Sequence, residues 1–148
     1  METMKMKKMF FAVAALLLAM TACDGGKTGA TLEGTTWKLS KMEGIPAEAI
    51  SAEADFFTLM FDAADTLLSG RTNCNRIFGK YQLDGDKLDL GNLGMTRMAC
   101  PDLQYEIRFA KALSEVERYE ISKSTLKLYA GDGKLLAEFR PVVEPEKR

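Results

Sequence analysis

Histidine is absent from all 148 residues. That absence removes the Ser-His-Asp and Cys-His nucleophile systems, the commonest zinc ligand, and the side chain that most readily moves protons near neutral pH. Excess charge of one sign is also missing. Twenty basic residues stand against 21 acidic ones, so the electrostatic footprint of a nucleic-acid binder is lacking. Long apolar runs are wanting too: the most apolar stretch, Met9–Met20 (MFFAVAALLLAM), has twelve residues, where a spanning helix needs about 20. What is present is ordinary. With 47% apolar and 28% charged residues, the whole chain is neither disordered, collagenous nor a coiled coil, and its length suits one domain.

Lys5, Lys7 and Lys8 precede the apolar run, and Thr21, Ala22 and Cys23 follow it. A basic region, a short apolar core and small residues form the pattern of a secretory signal. The alternative, a buried N-terminal helix, leaves a wholly apolar cylinder and three lysines for a small domain to accommodate. Leu18-Ala19-Met20-Thr21-Ala22-Cys23 resembles the lipobox of bacterial lipoproteins, with Met20 where Leu or Val is commoner. The resemblance implies a diacylglyceryl group (palmitate-type chains) on the Cys23 thiol and removal of residues 1–22. Two or three acyl chains anchor a protein stably, whereas one, at about 0.8 kcal/mol per buried CH₂, does so only marginally. The expected location is the periplasmic face of a bacterial cell envelope. In enterobacteria an aspartate at the position of Asp24 can retain a lipoprotein at the inner membrane; the choice between membranes stays open.

Without residues 1–22 the chain loses three lysines and one glutamate, leaving 17 basic against 20 acidic residues, net −3. Residues 23–31 read as a flexible tether rich in glycine, 32–141 as the folded domain, and 142–148 as a charged tail.

Within the domain the hydrophobic period is mostly two. Strands are expected at Thr36–Ser40, Phe56–Asp62, Thr66–Thr72, Met95–Ala99, Tyr119–Ile121, Leu126–Ala130 and Leu135–Arg140. Hairpins are expected at Asp84-Gly85-Asp86 and Gly131-Asp132-Gly133-Lys134, where Gly and Asp tolerate positive φ. From Pro101 to Tyr119 the period changes. Leu103, Ile107, Ala110, Leu113 and Val116 form an apolar stripe, widened by Tyr105, Phe109 and Ala112, that predicts a helix of about four turns. Asp102 is placed to cap it or face its dipole. The predicted class is α+β: a curved, mostly antiparallel sheet, a partial barrel, packed on one main helix.

With Cys23 assigned to lipid, Cys74 and Cys100 remain as an even pair in an oxidising compartment. A bridge between them would stabilise the fold by roughly 3.5 kcal/mol in the chain-entropy model. The alternative is two buried free thiols. A zinc site would be left two ligands short, and no metal or cofactor is expected.

The segments around these cysteines carry a resemblance. Gly70-Arg71-Thr72-Asn73-Cys74-Asn75-Arg76-Ile77-Phe78-Gly79-Lys80-Tyr81 and Met95-Thr96-Arg97-Met98-Ala99-Cys100-Pro101 resemble the two signature segments of META domains (HslJ-like, DUF306). The opening Leu32-Glu33-Gly34-Thr35-Thr36-Trp37 is similar as well, so the match runs in order over nearly all of 32–140. The resemblance implies a small α+β domain, often borne by envelope lipoproteins and linked to heat shock and other stress, without an established catalytic activity.

Site candidates follow. Gly70 and Gly79 are expected to bracket an irregular excursion in which Asn73 and Asn75 bond the local backbone. Trp37 and Tyr81 suit a core edge with the polar tip outward, and are further candidates for binding. Arg76 and Arg97, each near a cysteine, are candidates for an anion-binding pair; the alternative is two ordinary surface arginines. Asp84, Asp86 and Asp89 lack the pattern of a calcium loop, and Gly131–Lys134 lacks that of a phosphate loop. A thiol nucleophile at Cys74 would have no histidine to activate it. The function expected is a non-enzymatic, lipid-anchored binding module for an envelope protein or hydrophobic ligand. Its alternatives are an inhibitor of an envelope-directed hydrolase, or an enzyme working through carboxylates.

Overall fold

Alternation of buried and exposed side chains turns most of this chain into sheet. The structure, a computed structural model, describes residues 29–143. The signal segment, Cys23, most of the tether and residues 144–148 of the tail lie outside the described residues. The elements in order are β1 (Thr36–Lys41), α1 (Ala47–Ser51), β2 (Thr58–Asp62), β3 (Leu67–Arg71), β4 (Arg76–Lys80), β5 (Gln82–Asp84) and β6 (Lys87–Asp89). Then come β7 (Gly94–Met95), α2 (Leu103–Ser114), β8 (Val116–Ser122), β9 (Thr125–Ala130) and β10 (Leu135–Pro141). The class is α+β, as expected.

All ten strands join one sheet in the order β5-β6-β8-β9-β10-β1-β2-β3-β4-β7, and every pairing between named strands is antiparallel. The strand order itself reveals the curvature. β4 and β5 lie towards opposite ends of the sheet, yet only Tyr81 separates them in sequence. Successive Cα atoms are about 3.8 Å apart, so the two ends must come together and the sheet curls into a half-barrel. The two predicted hairpins form, with Gly85 and Gly133 at φ 61° and 87°, where a Cβ would be strained.

Inside the curl sit Trp37, Leu39, Leu59, Phe61, Leu126, Leu128 and Phe139, all essentially inaccessible. Helix α2 closes the open side. Its Phe109 packs edge-on against Phe57 at 5.3 Å between ring centroids and lies 6.2 Å from Phe139, a geometry that aromatic quadrupoles favour.

Four features depart here from expectation, each for a tertiary reason. The second strand begins at Thr58, not Phe56, because Phe57 takes φ 52° and its ring enters the core. The helix stops at Ser114, and Val116–Tyr119 belong to β8, where Val116 opposes Ala130; Val116 continues the helical period but pairs as a strand. Asp102 precedes α2 without capping it: it sits at φ 60°, and its side chain makes no cap hydrogen bond. Finally, the helix buries Glu106, Phe109, Ala112 and Leu113 while Leu103 and Ile107 face outward, so the buried stripe is rotated from the predicted one.

Candidate functional site

The two signature segments meet in a polar knot. Strands β3 and β4 are joined by a turn of four residues, Thr72–Asn75, and Gly70 and Gly79 lie within the strands rather than bracketing a longer excursion. The Thr72 hydroxyl donates to Glu106 Oε2 at 2.5 Å and accepts the backbone N–H groups of Cys74 and Asn75 at 2.9 and 2.8 Å. The side-chain amide of Asn75 donates to Glu106 Oε1 and Oε2 at 3.0 and 3.1 Å. Its oxygen accepts from Met98 N–H at 2.7 Å and from the Thr96 hydroxyl at 3.0 Å. Thr96 Oγ1 in turn accepts Arg76 N–H at 2.9 Å. Thus the segment expected to be a full strand at 95–99 is a strand only at β7; beyond it Thr96 N–H still reaches Arg76 O at 3.1 Å, and the Asn75 side chain then takes over by accepting Met98 N–H.

A disulfide joins Cys74 to Cys100 across a Cα–Cα distance of 6.0 Å, ordinary for such a bond. It fastens the β3–β4 turn to the segment that leads into α2. The side chains of Thr72, Asn75 and Glu106 are buried within this knot, as is Cys74, which also borders a groove on the outer face of β1–β4.

Trp37 and Tyr81 are also inside. The indole N–H of Trp37 donates to Leu32 O at 3.0 Å, and the Tyr81 hydroxyl donates to Glu33 Oε1 at 2.5 Å. Their polar tips therefore point at the Leu32–Glu33 segment and not outward, a correction to the core-edge expectation. The cause is the curl of the sheet, which folds that segment over both rings. Burial, then the hydrogen bond and charge of Glu33, then the charge of Asp62 raise the Tyr81 pKa well above its ordinary value.

The outer face of β1–β4 is different. Register aligns Thr36, Met60, Ser69, Phe78 and Gly94 in one row and Lys38, Thr58, Arg71 and Arg76 in the next. Residues of both rows line an open groove of about 770 Å³, which Met98 also lines. Phe78 and Met98 are 53% and 56% exposed, high for apolar side chains of that size. The Phe78 ring crosses Gly94, where a Cβ would meet ring carbon Cζ at 2.9 Å.

The cations on and beside this face differ in commitment, and of them Arg71 and Arg76 line the groove. Lys38 donates its ammonium to Glu53 O at 2.8 Å and also to Phe56 O; burial lowers its pKa while Asp55 opposes the shift. Arg71 pairs with Asp55 and lies 5.1 Å from the Phe56 ring centroid. Arg76 is exposed, lines the groove, and among the described residues its guanidinium forms no ion pair. Arg97 is exposed but does not line it. The arginine directly across from Arg76 is Arg71.

Sequence reasoning missed Glu106, Met60, Phe78 and Met98. Glu106 had a readable signal, since it lies three and seven positions before Phe109 and Leu113, in phase with the apolar face. The groove residues had none, because outward methionines and a phenylalanine read as core in a strand pattern.

A family model described as META domain matches residues 30–142. Among solved structures, the chain is similar to a protein from Burkholderia xenovorans determined by NMR, at 28% identity and a TM-score of 0.62, covering 76% of this chain and 85% of that one. It is similar also to a DUF4847 family protein from Bacteroides vulgatus, at 20% identity and a TM-score of 0.54, covering 74% and 93%. A further NMR structure matches at 21% identity and a TM-score of 0.56, over 75% of this chain and 94% of the other; likenesses this remote concern the fold. No curated protein matches the chain.

Proposed function

The chain belongs to the META domain family, and from that premise we propose that it is a non-enzymatic binding module of the bacterial cell envelope, anchored by lipid at Cys23 and engaged during stress. One observation carries the binding reading. Thr72 and Asn75 of the signature segments are spent on Glu106 inside the fold, while Phe78 and Met98 of the same segments, with Met60, are presented outward along the β1–β4 groove. Exposed apolar surface of this kind marks binding sites. The lipobox-like end of the N-terminal segment and the glycine-rich residues after it support the anchor, and a disulfide suits an oxidising compartment.

The test has two independent arms. A photoreactive residue replacing Phe78 should crosslink one saturable ligand in intact envelopes, whereas the same residue replacing Leu83, exposed on β5, should not; equal labelling from both positions would defeat the binding reading. Separately, Cys23→Ala should abolish palmitate incorporation and membrane fractionation, and persistence of both would remove the anchor.

A further inference from the structure

We infer that the β1–β4 groove takes a single-chain anionic amphiphile, its alkyl chain along Met60, Phe78 and Met98 and its head group on Arg76 and Arg71. The inference rests on the binding reading above and names the ligand's chemistry.

The first argument is charge complementarity. Arg71 and Arg76 are directly opposite on neighbouring strands, and like charges so placed destabilise a sheet. Asp55, which also lines the groove, neutralises Arg71, so the unbalanced positive charge rests on Arg76. An anion held chiefly by Arg76 balances that charge and gains charge-assisted hydrogen bonds that guanidinium geometry suits. The apolar row runs immediately beside this pair, one pleat along the same strands, so a head group on the arginines leaves its chain over Phe78 and Met60.

The second argument is size and backbone chemistry. A volume of about 770 Å³ falls in the small-molecule range of about 300–1,000 Å³. A folded partner needs about 800 Å² of interface on each side, far more than two short rows of side chains offer. An extended peptide would find the main chain already paired, because β1–β4 are all bonded on both sides; strand addition needs an open edge. An alkyl chain asks for no hydrogen bonds.

The experiment is isothermal titration of the chain beginning at Asp24, which retains every strand, both helices and the disulfide. Three probes are compared below their micellar concentrations where relevant: dodecyl phosphate, dodecyl maltoside and inorganic phosphate. Dodecyl phosphate should bind saturably at one per chain, roughly tenfold or more tighter than the other two. Arg76→Gln should erase its advantage over dodecyl maltoside, and Phe78→Ser should weaken it roughly tenfold. Both side chains are exposed, and near-UV circular dichroism verifies that the variants fold. Equal affinity for the two amphiphiles, or unchanged affinity in Arg76→Gln, would overturn the inference. Phosphatidylglycerol vesicles are titrated as a fourth probe, and binding confined to them would assign the face to a membrane surface and equally overturn it. Crosslinking at position 78 without affinity for dodecyl phosphate would refute the amphiphile alone; failure of both would remove the groove as a site.

Discussion

Asn75 spans the carboxylate of Glu106 with its side-chain amide, reaching both oxygens at 3.0 and 3.1 Å, and no cation shares that buried carboxylate among the described residues. Three donors, counting Thr72 Oγ1 and Asn75 N–H, stand in for the water it has lost. A buried charge is tolerable only on such terms.

Glu106→Ala should therefore be costly. It leaves the Asn75 amide and the Thr72 hydroxyl only longer bonds, to Met98 O at 3.4 Å and Asn75 O at 3.2 Å, and unties α2 from the β3–β4 turn. A loss of about 3 kcal/mol is expected, since each bond to a charged group contributes about 1.5–3 kcal/mol and the losses share one network. Glu106→Gln keeps one acceptor and should cost less. Urea unfolding of the three proteins decides it; an alanine variant within 0.5 kcal/mol of wild type would show the knot to be incidental.

The disulfide should act on stability and leave the groove's chemistry alone. Cys74 and Cys100 are 26 positions apart, and closing a loop of that order is worth about 3–4 kcal/mol in the chain-entropy model. Cys74→Ser and reduction of the wild type should lower the unfolding midpoint by similar amounts, with no further effect of reductant on the variant. A reduced protein as stable as the oxidised one would contradict this.

The fold was largely legible because its strands obey a period of two and its hairpins carry glycine where φ is positive. Legibility failed wherever a residue answered to a distant partner. Val116 fits the helical stripe beside Leu113 yet pairs with Ala130, and Ile107 fits it yet is 66% exposed, because Glu106 is drawn inward by Asn75. The motif around Cys74 was readable as important, but its reason, a turn held by a glutamate 31 positions away, leaves no local trace. The groove was unreadable for a related reason: Met60, Ser69 and Phe78 become neighbours only through register across three strands.

The β8–β9 hairpin offers a way to stabilise the molecule. Lys123 and Ser124 form a two-residue loop between paired Ser122 and Thr125, with φ of 49° and 60°. Two consecutive left-handed residues define the turn that Asn-Gly fits best. Replacing the pair by Lys123→Asn and Ser124→Gly should raise stability by about 0.5–1 kcal/mol per position, by relieving left-handed strain. Thermal unfolding checks this, and an unchanged or lower midpoint would count against the turn geometry.

Tyr81 links the ends of the sheet and should make stability depend on pH in one direction only. Its hydroxyl donates to Glu33, and its ring stands edge-on to Phe61 at 5.2 Å. Because the pKa is raised in the folded protein, the native state holds its proton more tightly than the unfolded chain, whose tyrosine titrates near pH 10. Stability from this group is thus fully present below about pH 10 and is lost as pH rises above it, the unfolded state shedding a proton that the native state keeps. Tyr81→Phe removes the titrating group and leaves the Glu33 carboxylate without its donor, a cost of about 1–2 kcal/mol at neutral pH. The difference between wild type and variant should then narrow between about pH 10 and 11.5. Urea midpoints measured across that window decide the matter: parallel pH profiles for the two proteins would mean that the tyrosine ionises in the folded state as freely as in the unfolded one, and that its bond to Glu33 does not hold its proton.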